Sequence, residues 1–230
     1  MRYENVTKAV FLERPNRFVA KVSLNGEEEI VHVKNTGRCK ELLIPGCEVW
    51  LTEPESKGRK TRYDLIGVRK STGVLFNIDS QAPNQVVKEW LMGGHMKPYS
   101  KVVPEYTFGE SRIDFYMEQM LPDGQILPSL MEVKGCTLEQ DGIGYFPDAP
   151  TMRGVKHLRE LIRAKQEGME AYLAFVIQMD GVEEVRANVK THREFGEVLE
   201  EAKACGVKVL FLCCHVVPEG FDIVKVHVAK

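Results

Sequence analysis

Two acidic residues and one lysine in the middle of the chain have types and spacing that suit phosphodiester chemistry. Asp114 lies in the segment Arg-Ile-Asp-Phe-Tyr-Met, and Glu132 and Lys134 lie in the segment Met-Glu-Val-Lys. Apolar and polar residues alternate in both segments, which predicts two β-strands. Asp114 then lies on the polar face of the first strand, and Glu132 and Lys134 lie on the polar face of the second.

The turn between these two segments determines how they pair. Pro122-Asp123-Gly124 is a strong turn signal, since a three-residue loop with Gly in the left-handed conformation commonly closes a hairpin. Centring the hairpin on the middle residue of this turn places Asp114 directly opposite Glu132, with Cβ atoms about 5 Å apart. Lys134 then lies on the same face, about 6.5 Å further along its strand. Pro128 leaves open a bulge that would shift this register.

The predicted juxtaposition of two carboxylates has a chemical meaning. Like charges directly opposite each other destabilise a sheet, and a divalent cation between them would reverse that effect. Mg²⁺ prefers one or two carboxylates, several waters and substrate phosphate oxygens. A lysine beside the cation can orient a water or stabilise charge at phosphorus. The pattern predicts a Mg²⁺- or Mn²⁺-dependent phosphodiesterase site at Asp114, Glu132 and Lys134; the alternative is a surface Glu–Lys pair with an unrelated Asp nearby.

Basic residues cluster in the first third of the chain. Residues 57–70 hold six basic residues and one acid, although the whole chain has a net charge of −2. Such a segment predicts a phosphate-facing loop, and the alternative is a solvated hairpin tip. The candidate phosphate-binding residues in this segment are Lys57, Arg59, Lys60 and Arg62.

A second basic segment is predicted to be helical. Residues 151–168 hold five basic residues and two acids, and their apolar residues repeat at helical spacing. Arg153 and Lys156 lie on the polar face, which suits phosphate binding, although an ordinary amphipathic helix has the same pattern. His157 lies on the same helix and is included among the candidate nucleic-acid-binding residues, although a single histidine is more often packed or hydrogen-bonding than a ligand.

These candidate residues must be positioned by two different folds. Residues 1–80 read as short strands with one short helix over 38–44, which predicts a small barrel of the OB type. Residues 81–230 read as an α/β domain with a mixed sheet. In this second part we expect Asn84 to cap a helix, residues 139–150 to form a loop, and Thr191 and Glu194 to form a capping box.

Composition limits the class of protein. The chain has 230 residues, 43% of them hydrophobic and 28% charged, which is ordinary for a folded protein. No apolar run approaches the roughly 18 residues of a membrane helix, and the first residues lack a secretory signal pattern. The six cysteines have no zinc-site spacing, and most lie in apolar surroundings. They are therefore expected to be buried thiols of a protein in the reducing cytoplasm. Walker A, GxGxxG and GxSxG motifs are absent from the sequence.

Several motifs together resemble the sugar fermentation stimulation protein A family, and the resemblance covers essentially the whole chain. It implies an N-terminal OB-like domain followed by a domain like the PD-(D/E)xK nucleases. It also implies binding to DNA with little sequence preference and a regulatory role in sugar (maltose) metabolism. The motifs are Asn35-Thr36-Gly37-Arg38, Ser111-Arg112-Ile113-Asp114-Phe115, Glu132-Val133-Lys134 with Thr137-Leu138, and Phe146-Pro147-Asp148-Ala149 continuing through Thr151, Arg153-Gly154, Lys156-His157-Leu158 and Glu160-Leu161.

The resemblance also implies roles for single residues. Asp114 and Glu132 correspond to the metal carboxylates and Lys134 to the catalytic lysine. Glu89 matches the place where related nucleases often carry a further acid, and Glu105 is a rival for that role. Gly135-Cys136 and Cys39 depart from the family pattern beside the site. A regulator that binds DNA without cleaving it remains the alternative function, and the oligomeric state, including a dimer, stays open.

Overall fold

The computed structural model describes residues 1–35, 37–55 and 58–229, which form fifteen strands and three helices. None of the helices in these ranges is long and apolar enough to cross a membrane. The elements are β1 (Val6–Glu13), β2 (Val19–Leu24), β3 (Glu27–Val33), β4 (Glu48–Thr52), β5 (Asp64–Arg69), β6 (Leu75–Asn77), α1 (Ala82–Met92), β7 (Tyr99–Phe108), β8 (Ser111–Met120), β9 (Ile126–Cys136), β10 (Leu138–Gln140), β11 (Ile143–Phe146), α2 (Met152–Gln166), β12 (Glu170–Ile177), β13 (Val185–Ala187), α3 (Arg193–Ala204), β14 (Lys208–Val217) and β15 (Gly220–Val228).

The first six strands form a small closed barrel. They follow the order β3-β2-β1-β4-β5-β6, and a parallel pairing between β3 and β5 closes the sheet on itself. Strand residues alternate between the two faces of the sheet, and the residues that face the barrel interior are apolar. Among them, Ala20, Val22, Val31 and Val33 are all buried. This topology confirms the predicted OB-like barrel.

The predicted helix over 38–44 is wrong. The segment forms turns instead, in which the amides of Leu42 and Leu43 both donate to the carbonyl of Cys39, at 3.2 and 2.9 Å. Cys39 has a φ of 44°, a left-handed conformation that interrupts a helix. The apolar spacing that suggested a helix serves burial, since Leu42 and Leu43 are both in the core.

The second half of the chain is an α/β domain with a mixed sheet, as predicted. Its six strands follow the order β15-β14-β12-β9-β8-β7, with β12 parallel to both β9 and β14 and the other neighbours antiparallel. The strands β12 and β9 are central, so they are buried on both faces and rich in apolar residues. The apolar face of α2 is buried through Val155, Leu158 and Leu161.

The hairpin of β8 and β9 has the predicted register. Phe115 pairs with Met131 and Met120 pairs with Ile126; the paired ladder ends at Phe115, and the same alignment continued by one residue brings Asp114 to Glu132. Gly124 has a φ of 82° in the connecting turn, the left-handed position that the turn signal requires. Pro128 pairs with Glu118 without a bulge.

Three local expectations need correction. Helix α1 begins at Ala82 after Gln81, and Asn84 is not its cap. Helix α3 begins at Arg193 after His192, so the capping box of Thr191 and Glu194 does not form. The loop expected over 139–150 contains the short hairpin of β10 and β11. These differences are small in length because tertiary contacts, rather than local capping signals, decide where each element begins.

The barrel and the sheet domain are joined by buried polar contacts. Gln178 Nε2 donates to Asn77 O at 3.1 Å, to Asn77 Oδ1 at 3.0 Å and to Asp79 O at 3.1 Å. Within the barrel part, Lys34 forms an ion pair at 2.8 Å with Asp79, whose carbonyl is one of these acceptors. The division of the chain at residue 80 stays a prediction. The start of the chain also contacts the second part, because Arg2 forms an isolated antiparallel β-bridge with Gly220 in the last strand.

Candidate metal and phosphodiesterase site

Asp114 is fixed by hydrogen bonds from two different elements. Its Oδ2 accepts from the backbone amide of Val133 on β9 at 2.8 Å, and its Oδ1 accepts from Asn84 Nδ2 at 2.7 Å. Asn84 lies in the first turn of α1, so its side chain serves the site instead of capping the helix. Burial and then the neighbouring Glu132 carboxylate raise the pKa of Asp114.

Glu132 is buried, and its two carboxylate oxygens differ in their hydrogen bonding. Its Oε1 accepts from Lys134 Nζ at 2.5 Å and from His157 Nδ1. Its Oε2 is buried with no hydrogen-bond partner among the residues that the structure describes. Burial opposes ionisation, but the charges and hydrogen bonds of Lys134 and His157 outweigh it and hold the pKa of Glu132 below its usual range. An ionised, buried oxygen without a partner is costly unless a cation or donor joins it.

His157 has a different place from the one predicted. It was expected among the nucleic-acid-binding residues, but its side chain is buried behind Glu132 on α2. Arg153 Nε donates to His157 Nε2 at 3.4 Å. His157 is therefore a positioning residue that orients the Glu132 carboxylate, in the way that an outer-shell partner orients a metal ligand. Sequence spacing showed the helix but not which side chain would lie across from it.

Glu89 does not join the site. Its carboxylate lies 2.9 Å from the amino nitrogen of Met1 and accepts from Gln85 Nε2 at 2.8 Å. The rival residue, Glu105, has an exposed side chain that lies 3.5 Å from Arg112 NH2. Both expectations for a third acid are therefore corrected: helix α1 turns Glu89 toward the chain start, and Glu105 extends from β7 into solvent.

The residues present fit a hard divalent cation of low protein coordination. Across residues 1–35, 37–55 and 58–229 no group of three or more His, Cys, Asp or Glu side chains is assembled for a metal. Asp114 and the free Oε2 of Glu132 supply two carboxylates, which matches Mg²⁺, an ion that keeps several waters and takes phosphate oxygens from its substrate. Mn²⁺ accepts the same oxygen ligands.

The basic segment at 57–62 is largely paired with acids. Arg59 forms an ion pair with Asp64, and Arg62 Nε lies 2.8 Å from Glu53 Oε1. Lys60 is exposed, and Lys57 lies outside the described residues. Since two of its cations are neutralised within the barrel, this segment is a weaker phosphate surface than its composition indicated.

The basic face of α2 is also partly occupied. Lys156 Nζ donates to the carbonyl of Glu110 at 3.0 Å and lies 3.4 Å from Glu110 Oε2. Arg153 is exposed beyond its contact with His157. Both residues lie on the helix that carries His157, so they stand close to the carboxylate site. Their role as phosphate-binding residues stays a prediction.

A different basic surface was missed by the sequence reasoning. Arg17, Arg38 and Lys40 are exposed, and within the described chain no carboxylate lies within 4.0 Å of them. Arg17 lies over the ring of Phe18 at 4.7 Å, and Phe18 is 48% exposed. We call these four residues the basic cluster. The only sequence signals were the short strings Arg-Phe and Arg-Cys-Lys, which are too sparse to stand out by charge counting.

Arg14 connects the two loops that carry the basic cluster. Its guanidinium donates to four backbone carbonyls, those of Arg17, Asn35, Gly37 and Arg38, at 2.6–2.9 Å. These bonds tie the loop after β1 to the loop after β3. The cations of the cluster are thereby brought together from two loops that are distant in sequence.

Comparison with known proteins agrees with this two-part architecture. Residues 12–78 match the family model for the SfsA N-terminal OB domain, and residues 81–220 match that for the sugar fermentation stimulation protein RE domain. Sugar fermentation stimulation protein homologs from Desulfitobacterium hafniense (strain DSM 10664 / DCB-2) and Clostridium beijerinckii are 52% and 48% identical, covering 96% and 97% of this chain and 95% and 96% of theirs.

A solved structure shares the whole fold. The Pyrococcus furiosus SfsA structure in complex with Ca²⁺ is 28% identical, has a TM-score of 0.81, and matches 99% of this chain and 95% of that one. The match spans both the barrel and the sheet domain, as the family models do. The chain therefore belongs to the sugar fermentation stimulation protein (SfsA) family.

Proposed function

We propose that the protein is a DNA-binding, metal-dependent phosphodiesterase whose second domain is of the PD-(D/E)xK nuclease-like type. The observation that carries this proposal is the Oε2 of Glu132, which is buried without a partner among the described residues, close to Asp114 and with Lys134 alongside. Asp114 and Glu132 would hold Mg²⁺ or Mn²⁺. A fold that leaves a charged oxygen without a donor in its interior is explained when a cation takes that place.

The residues of the site would have separate roles in hydrolysis. A bound divalent cation would neutralise phosphate charge and lower the pKa of a water. Lys134 keeps its ammonium at the edge of the site, with a side chain that is 15% exposed, where it can donate to a phosphate oxygen or a water. His157 fixes the Glu132 carboxylate from behind, and Asn84 and the Val133 amide fix Asp114.

Two further observations support this function. The Ca²⁺ bound by the Pyrococcus furiosus relative is a hard cation that takes oxygen ligands, as Mg²⁺ does. The basic cluster on the barrel combines three unpaired cations with an exposed aromatic ring, the combination that binds a nucleic-acid backbone and stacks a base. Phosphate contacts of this kind give little sequence preference. Action on DNA predicts a cytoplasmic protein.

Cleavage assays on the full chain test the proposal. Single-stranded, duplex and branched DNA are incubated with Mg²⁺, with Mn²⁺ and with EDTA, and cleavage is expected only with a metal. Lys134→Met is expected to lower the rate by about 10- to 100-fold, the usual effect of removing a group that supports a metal site. The matched control is Lys101→Met, a lysine of β7 that pairs with the half-buried acid Glu118. Unchanged cleavage by Lys134→Met would place the activity elsewhere.

Metal affinity is expected to depend on pH through Asp114. Burial and the Glu132 carboxylate raise the pKa of Asp114, and a proton competes with the cation for this carboxylate. Affinity should therefore fall as pH decreases through the raised pKa of Asp114 and level off above it. Titration calorimetry with Mn²⁺ over a pH series measures this. An affinity independent of pH across the acidic range would show that Asp114 is not a ligand.

The basic cluster is expected to set the salt dependence of DNA binding. Removing one phosphate contact with Arg38→Ala should weaken binding and make the slope of log K against log salt shallower by about 0.7 on single strands or about 0.9 on duplex. Fluorescence anisotropy over a salt series measures both quantities. The control is Arg193→Ala, an exposed arginine of α3 that pairs with Glu197. A slope that changes equally in both variants would contradict a specific role for the cluster.

The second candidate is a DNA-binding regulator of sugar (maltose) metabolism that does not cleave. The observation in its favour is that Glu132 Oε1 already accepts hydrogen bonds from Lys134 and His157, while the described residues bring no third acid to the site. Affinity for DNA without turnover under either metal, in the assays above, would establish this function instead.

A further inference from the structure

A small polar cavity lies between the barrel and the sheet domain. It has a volume of about 170 Å³, with Gly37 from the barrel and Thr137, Tyr145, Phe146, Asp148 and Gln178 from the sheet domain among its walls. We call it the interdomain cavity. Pockets for drug-sized ligands measure roughly 300–1,000 Å³. The interdomain cavity therefore takes one ring system and excludes larger molecules.

Two acceptors among the residues that line this cavity are available to a ligand. The Asp148 carboxylate makes no hydrogen bond or ion pair within the part of the chain that the structure describes. Gln178 commits its Nε2 to Asn77 and Asp79, which leaves its Oε1 directed at Gly135 in the cavity wall. A ligand that engages these two groups brings hydrogen-bond donors. A phosphate would be repelled by Asp148.

Two glycines keep these acceptors accessible. A Cβ added at Gly37 would lie 2.3 Å from Asp148 Oδ2, and one added at Gly135 would lie 2.3 Å from Gln178 Oε1. Any side chain at either position would cover the acceptor. Tyr145 and Phe146 also line the cavity, although the ring of Phe146 itself packs against Phe175 and Phe195 in the core.

The cavity adjoins both surfaces of the proposed function. Gly135 follows Lys134 directly, and Pro83, which lies near Gly135, precedes Asn84, the donor to Asp114. Gly37 is also part of the surface depression that holds Arg17, Arg38 and Lys40. Phosphates on the basic cluster would therefore stand beside the mouth of the cavity, and the cleaved linkage would lie beyond its far wall.

We propose that the interdomain cavity binds one unstacked guanine base of the DNA, with the Asp148 carboxylate accepting its N1–H and N2–H donors. This rests on the proposed function. Guanine is the base whose Watson–Crick edge presents two adjacent donors to match two carboxylate oxygens; adenine and cytosine place an acceptor beside their amino group, and thymine offers a single N–H. Splayed bases are commonly read by hydrogen bonds to this edge.

Binding without metal separates this pocket from cleavage. Oligo-dT strands that carry one central guanine, inosine or adenine, and an all-dT strand, are titrated against the full chain in EDTA. Guanine is expected to bind about 10-fold more tightly than adenine, as one bidentate pair discriminates. Inosine, which lacks the N2 amino group, should fall between them. Asp148→Asn should abolish the guanine preference and leave all-dT binding unchanged, and Asp141→Asn, at an exposed acid of the β10–β11 turn, should preserve it.

The outcomes distinguish the two proposals. All-dT binding with no guanine preference, or a preference that survives Asp148→Asn, overturns the guanine pocket and leaves the proposed function intact. If no strand binds, the proposed function fails, and guanosine, which carries no phosphate for Asp148 to repel, is then titrated alone. Its binding in wild type but not in Asp148→Asn would support the pocket, and the absence of binding up to millimolar concentration would overturn it.

Discussion

Replacing Glu132 with Gln is expected to lower both Mn²⁺ affinity and DNA cleavage by more than about 100-fold. Loss of an outer-shell partner of a metal ligand typically costs 10- to 100-fold, and Glu132 is proposed as the ligand itself. The amide removes the negative charge and also loses one of the two carboxylate oxygens, of which Oε2 is the one without a protein partner. Calorimetric titration with Mn²⁺ and a cleavage assay measure the two effects.

The control for this variant is Glu118→Gln on β8. Glu118 also lies on the hairpin that carries the site, but its carboxylate pairs with Lys101 and accepts from Tyr116. It should keep wild-type metal affinity and cleavage. Thermal unfolding of both variants tests whether they remain folded. A folded Glu132→Gln protein that cleaves at the wild-type rate would contradict the proposed site.

Replacing Phe175 with Ala is expected to lower the free energy of unfolding by about 3–5 kcal/mol, the range for a buried Phe truncated in a packed core. Phe175 is 1% exposed on the central strand β12. Its ring lies 5.5 Å from that of Phe146 and 6.2 Å from that of Phe211, so truncation leaves a cavity that both rings border. Urea unfolding followed by circular dichroism measures the change.

The matched control is Phe18→Ala, because the same atoms are removed from a ring that is 48% exposed. Its free energy of unfolding should stay within about 0.5 kcal/mol of wild type. Its affinity for DNA should fall, since the ring belongs to the basic cluster. Equal destabilisation by the two variants would mean that β12 is not the packed centre of the domain.

The register of the β8–β9 hairpin was predictable because its information is local. The strand period of two and the turn at Pro122-Asp123-Gly124 fix which residues of β8 and β9 face each other, so Asp114 and Glu132 could be paired from the sequence. The barrel could be predicted for the same reason, from short strands between turn residues.

The remaining features depend on contacts between distant segments. Helical spacing places Glu89 and His157 on helices but does not say what lies across from them, and the partners are Met1 and Glu132. The basic cluster is assembled by Arg14 from two loops, and Arg59 and Arg62 are neutralised by acids that charge counting treated separately. The left-handed Cys39 breaks a segment of helical composition.

The buried Gln178 junction ties the barrel to the sheet domain through three hydrogen bonds. If the barrel could swing, a strand held on it would be cut at scattered positions. With the barrel fixed, the distance between the nucleotide bound on it and the carboxylates would be constant, and the strand would be cut at a fixed distance from that nucleotide. Its products would then end at one set number of nucleotides from the point of grip, and loosening the junction with Gln178→Ala would blur that length.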